Sequence, residues 1–231
     1  MCRHHPAWFV VVLALILPLA CGAGGDQSTG DKLVVKPYEA RDFSRLKGMQ
    51  GFSDHALDQH FTLYQGYVRN TNLLLEELTQ MAREGKTATP AYAELKRRLG
   101  WEWNGMRLHE LYFDNLGGKE PLPKDSLLMK KIEANFGAYE AWQADFRATG
   151  AMRGIGWVVL FEDQHTGRLV NAWINEHDLG HLAGATPLLI MDVFEHAVLP
   201  DYGLKRGEYI NAFCENINWA AVQARLRKEG K

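Results

Sequence analysis

Between residues 53 and 84 a mostly apolar face recurs at three- and four-residue steps: Leu57, His60, Tyr64, Tyr67, Thr71, Leu74 and Leu78. That period is helical. The stretch holds no proline and one glycine, Gly66, so it reads as a single long helix. Ser53 or Asp54 can cap its start, and Gly85-Lys86 marks its stop. Helical spacing resumes after Pro90 to about residue 99, and a third stretch covers residues 103–116, closed by Gly117-Gly118. Residues 126–135 and 139–149 read as two further helices. Then the period changes. Residues 156–162, GWVVLFE, and 168–174, RLVNAWI, are short apolar runs around the turn-rich DQHTG, which predicts a β-hairpin. Residues 187–193, PLLIMDV, read as a buried strand. Helical stretches at 205–216 and 219–228 close the chain.

This order predicts an α+β fold. An antiparallel helical hairpin (39–118) precedes a C-terminal α/β domain (119–231) with a small three-stranded antiparallel sheet. The proline-bearing loop GGKEPLPK separates the two. Composition agrees with a sizeable core: of 231 residues, 46% are hydrophobic and 23% charged. The net charge is −2, so a nucleic-acid partner lacks its electrostatic footprint. Three cysteines exclude a disulfide-stapled scaffold.

The first residues read as a targeting segment. Arg3 precedes the apolar run WFVVVLALIL (8–17), which is shorter than the ~20 residues a membrane span needs. Leu-Pro-Leu-Ala-Cys21 follows, with small residues after it. The pattern resembles a bacterial lipoprotein signal, with residues 1–20 removed and Cys21 lipidated; an ordinary secretory signal is the alternative. Either exports the protein, and the lipid anchor would hold it at the bacterial cell envelope. Residues 21–38 then form a flexible tether, and the lipid anchor is the only membrane contact expected.

Several histidines could carry chemistry. His196 lies four residues after Asp192, which ends an apolar run. A buried, unpaired carboxylate costs several kcal/mol, so Asp192 needs a cation, a metal or hydrogen bonds. His109 stands mid-helix among Met106, Leu108, Leu111 and Phe113, as a core histidine or a ligand. His60 shares a face with Tyr64 and Tyr67. Three imidazoles and one carboxylate, with no cysteine, suit iron or manganese. His55 and His165 read as solvated and His181 as structural.

Four segments in order carry a family resemblance: the first long helix (YVRNTN, 67–72), the segment WNG…H…FDNL (103–116), the run PLLIMDVFEHA (187–197) and the closing NINW (216–219). The chain resembles the iron/manganese superoxide dismutases over roughly residues 53–229. The resemblance implies His109, Asp192 and His196 as ligands of one iron or manganese ion. The family's first histidine falls on Gln59 here; His60, seven residues before Tyr67, is the expected ligand. The further histidine that many members carry four residues on would fall on Leu63 or Tyr64. Tyr67 takes the place of the tyrosine at the channel mouth. His177 takes the place of a glutamine that faces the metal's solvent, and is expected to donate there. Phe194 stands where tryptophan is usual, and Leu199 where many members have a gateway tyrosine. Glu195 resembles the glutamate that bridges to the partner's metal-binding histidine, which implies a homodimer.

The implied activity is dismutation of superoxide outside the cytoplasm, with Tyr67 and His177 serving catalysis. A non-catalytic, metal-binding lipoprotein of the same fold is the alternative. A metal-dependent hydrolase would need a general base that these motifs do not offer.

Overall fold

The computed structural model describes residues 36–227. Ser53 caps helix α1 (Asp54–Arg83), its side chain accepting from Ala56 N at 3.1 Å. Such a cap contributes about 1 kcal/mol. The buried face carries Leu57, His60, Tyr64, Val68, Thr71, Leu74 and Leu78, close to the set the spacing predicts. Gly85, just beyond the helix, has φ +69°, a conformation glycine adopts without strain.

Helix α2 (Pro90–Asp114) is one continuous helix, where the sequence suggested two. Gly100 joins the halves. A glycine inside a helix costs about 1 kcal/mol relative to alanine. Contacts around it outweigh that cost: Arg98 pairs with Glu102 across Gly100 within the helix, Asn70 of α1 donates to Glu102, and Trp103 meets Tyr38 edge-on at 5.2 Å. The two helices run antiparallel. Asn70 meets Glu102, Tyr67 meets Gly105 and His60 meets Phe113, so numbers fall on one helix as they rise on the other.

Helices α3 (Leu127–Phe136) and α4 (Tyr139–Gly150) lead into the sheet. Strands β1 (Gly156–Asp163), β2 (Leu169–Asn175) and β3 (Ala185–Asp192) lie in the order β2-β1-β3, both pairs antiparallel. Residues Trp157 to Phe161 of the central strand are at most 2% exposed, because α4 covers the sheet and α2 and α7 pack on β3. Burial on both faces explains why β1 reads as an unbroken apolar run. The register sets Trp157 opposite Ile174 on one side and Asp192 on the other. The last residue of β3 is thereby locked beside the second residue of β1.

Three more helices follow: α5 (Glu195–Tyr202), α6 (Arg206–Glu215) and α7 (Trp219–Ala224). Helix α5 has no counterpart among the elements the spacing predicts; its eight residues carry Pro200 and bury only Val198. Helix α7 is shorter than its expected span. Just after it, Arg225 bonds the carbonyls of Leu188 and Leu111. Asn115 ties the end of α2 to β3 by donating to Ile190 O at 3.0 Å. These elements lie in one compact unit, Pro37–Lys231. Tyr38, at the end of the expected tether, is fixed by two hydrogen bonds to Asn72. Among the described residues no helix is long and apolar enough to cross a membrane. Cys21 and the signal segment lie outside the described residues.

Candidate metal centre

Four elements converge on Asp192. It ends β3 and is fully buried. Its Oδ1 accepts from Phe194 N at 2.8 Å, and its main-chain carbonyl accepts from the Tyr209 hydroxyl. Around Oδ2 stand three imidazoles: His60 Nε2 from α1 at 3.1 Å, His196 Nε2 from α5 at 3.1 Å and His109 Nε2 from α2 at 3.7 Å. One donor atom from each of the four residues lies within 4.8 Å of the others. Gln59 is exposed, and His60 is the residue of α1 brought into the cluster.

Burial drives His60 and His109 below the ordinary imidazole range. It also pushes the Asp192 carboxyl up, but His196 and His60 outweigh that and hold it well below the carboxylate range. Neutral imidazoles around a carboxylate are the forms that bind metal.

His109 tests the fit most sharply. Its Nδ1 lies 2.5 Å from Gly105 O, a group that only accepts, so Nδ1 carries the proton. Nε2 of the neutral ring is then a bare lone pair. It is buried without a hydrogen-bond partner and faces a carboxylate oxygen. Two facing lone pairs repel; a cation between them satisfies both. The three-nitrogen, one-oxygen donor set suits iron or manganese. The residues therefore fit such an ion.

Beside this cluster lies a second pair. Tyr67 Oη is 2.7 Å from His177 Nε2, and the Tyr67 ring stacks on His109 at 5.2 Å. Burial pushes the Tyr67 hydroxyl up to about 12, so it keeps its proton at neutral pH. His177 is fully buried, with its other ring nitrogen on Trp157 Nε1 at 3.1 Å. Burial lowers His177 to about 4. Gly105 makes room for Tyr67: a Cβ there would meet the ring at 2.5 Å.

The remaining residues fall outside the cluster. Glu195 is exposed at the start of α5, directly before His196. Leu199 is 44% exposed. His181 Nε2 bonds the main-chain oxygen of His177. Tyr64 donates to Glu110 Oε1 at 3.0 Å and accepts from Arg41 N, a structural link. Sequence reasoning missed Trp157, Trp101 and Gly105. Trp157 sits in a strand that reads as plain core, and Trp101 falls between the two helices that the spacing predicts. Only the third dimension sets them beside His177 and Tyr67.

Residues 124–225 match the family model for the C-terminal domain of iron/manganese superoxide dismutases. The chain is 36% identical over 205 residues to a superoxide dismutase [Fe] from Aquifex pyrophilus, covering 85% of this chain and 94% of that one. It is 38% identical over 184 residues to a superoxide dismutase [Fe] from Cupriavidus metallidurans, covering 77% and 90%. A superoxide dismutase [Mn] from Haloferax volcanii is 36% identical over 172 residues, covering 73% and 83%. With three imidazoles and a buried carboxylate gathered in an α+β fold of this order, and with these relatives along most of its length, the chain belongs to the iron/manganese superoxide dismutase family.

Proposed function

We propose that this chain dismutates superoxide, 2 O₂⁻ + 2 H⁺ → O₂ + H₂O₂, with one iron or manganese ion held by His60, His109, Asp192 and His196. The observation that carries the reading is the partnerless Nε2 of His109, aimed at Asp192 inside a cluster of imidazoles. The metal, when bound, supplies one-electron exchange between successive superoxide ions. The chain supplies the rest. Asp192 offsets the ion's charge. The Gly105 carbonyl orients His109 through its Nδ1, the outer contact that a metal-binding histidine commonly needs. Tyr67, half-buried and protonated, holds a proton beside the cluster for the product peroxide.

Glu195 is proposed to bridge to a second copy, making a homodimer the active unit; its exposure next to His196 supports this. The N-terminal pattern supports export and lipid anchoring at Cys21, in the bacterial envelope. Membrane fractionation of Cys21→Ala tests that placement: release into the soluble fraction is expected.

Stopped-flow decay of superoxide tests the activity, on the chain loaded with iron and with manganese in turn. At least one form should clear superoxide far faster than the spontaneous rate. Spontaneous decay with both metals would sink the proposal.

A further inference from the structure

Strand β3 lies at the edge of the sheet, so one side of its backbone has no ladder partner. Carbonyls of alternate residues face that side. Three in succession are met by side chains instead. Arg225 donates to Leu188 O at 2.7 Å, Asn115 to Ile190 O at 3.0 Å, and the Tyr209 hydroxyl to Asp192 O. The last of these contacts bears on the metal centre, because Asp192 also carries the carboxylate that the three imidazoles surround.

Tyr209 of α6 and Tyr112 of α2 are both buried, with their hydroxyl oxygens 3.2 Å apart. Burial pushes both phenols above their ordinary range, so each keeps its proton at neutral pH. Two protons serve two contacts, and their order is forced. A main-chain carbonyl only accepts, so the Tyr209 proton lies on Asp192 O. The contact between the hydroxyls is left to the Tyr112 proton, and Tyr112 donates to Tyr209. Among the described residues neither hydroxyl has a further hydrogen-bond partner. A hydroxyl that accepts a hydrogen bond becomes a stronger donor in turn. Tyr112 stands one turn beyond His109 on α2, and its ring lies 5.2 Å from that of His60. The dismutation chemistry uses neither hydroxyl, yet each is a polar group taken out of water, a cost that phenylalanine would not carry.

We propose that Tyr112 and Tyr209 are positioning residues for the metal: Tyr112 donates to Tyr209, Tyr209 donates to the Asp192 carbonyl, and the pair holds the end of β3 so that the Asp192 carboxylate keeps its place among the imidazoles. Helix α6, which supplies no ligand, thereby takes part in metal retention. The effect on the metal rests on the dismutase reading; the order of the hydrogen bonds does not.

The test compares the full chain with Tyr112→Phe, Tyr209→Phe and the double variant, in which each ring stays and only hydroxyls are lost. The first readout is the ¹³C shift of the Asp192 carbonyl, taken on the metal-free chain and on the chain loaded with zinc as a diamagnetic probe. It should move upfield in Tyr209→Phe, and by less in the same direction in Tyr112→Phe. The second is the rate at which bound manganese passes to an excess of chelator. Tyr209→Phe should release it about tenfold faster, the scale of such outer contacts. Tyr112→Phe should release it about two- to fivefold faster, the scale of one neutral hydrogen bond. The double variant should release it no faster than Tyr209→Phe, because Tyr112 acts through Tyr209. An Asp192 carbonyl that stays put in Tyr112→Phe overturns the proposal, and so does a double variant in which the two single effects multiply. A lower denaturant midpoint in the metal-free variants with unchanged manganese release makes the pair a packing feature and overturns it too. If Tyr209→Phe fails to fold, Tyr112→Phe decides by its carbonyl shift and release rate. A folded, unsubstituted chain that takes up no metal strikes the dismutase reading and the retention claim with it, while the Asp192 shift of the metal-free chain still decides the order of the bonds.

Discussion

Gln59 and His60 are adjacent on α1, and one helical step separates them by about 100° around the axis. Gln59 is exposed, while His60 is 5% exposed with Nε2 3.1 Å from Asp192. His60→Ala is therefore expected to lose most of its bound metal, and Gln59→Ala to keep it. Elemental analysis of the purified chains checks this, and metal loss in Gln59→Ala with retention in His60→Ala would contradict the site. At this scale the sequence was informative about residue type but silent about direction. Three histidines and an aspartate stood out as donors. Whether His109 was a core histidine or a ligand turned on which nitrogen faced what. The hydrogen bond to Gly105 O and the partnerless Nε2, visible only in three dimensions, favour the ligand.

At the scale of elements, the crossing of α1 and α2 places the cluster, and Gly105 sets how closely they meet. An alanine there would favour the helix by about 0.5–1 kcal/mol. Its Cβ would also strike the Tyr67 ring at 2.5 and 2.6 Å, near the rigid base of the side chain. Such overpacking costs about 1–3 kcal/mol. Gly105→Ala is thus expected to destabilise the chain by about 1–2 kcal/mol, read as a lower denaturant midpoint. A higher midpoint would mean that the ring yields freely. The long helices and the apolar strands were legible because their periods run for many residues. The join at Gly100 was not, since local propensity argues for a break and distant contacts override it. Helix α5 was not legible either: its eight residues bury one side chain, too few to set a period.

For the whole molecule, the four donors come from α1, α2, β3 and α5, so a bound ion ties the helical hairpin to the sheet. A ligand at a thousand times its Kd stabilises the folded state by about 4 kcal/mol. For a chain of this size that corresponds to roughly 8–16 °C in Tm. Calorimetry of the metal-free and metal-loaded chain should show a shift of that order, and identical melting would contradict a centre that links elements. Fold class was readable at this scale from the order of periods alone. The convergence of residues 60, 109, 192 and 196 was readable only through family resemblance, because nothing in spacing brings together positions up to 136 apart.

The proposed dismutation is the work of one redox metal held by His60, His109, Asp192 and His196. Its most direct test is superoxide turnover measured against bound metal in the same samples, from metal-free to fully loaded, with Asp192→Ala alongside. The prediction is turnover proportional to bound iron or manganese, saturating at one ion per chain, with neither metal nor turnover in Asp192→Ala. Full occupancy without turnover, or turnover that persists in Asp192→Ala, would contradict it.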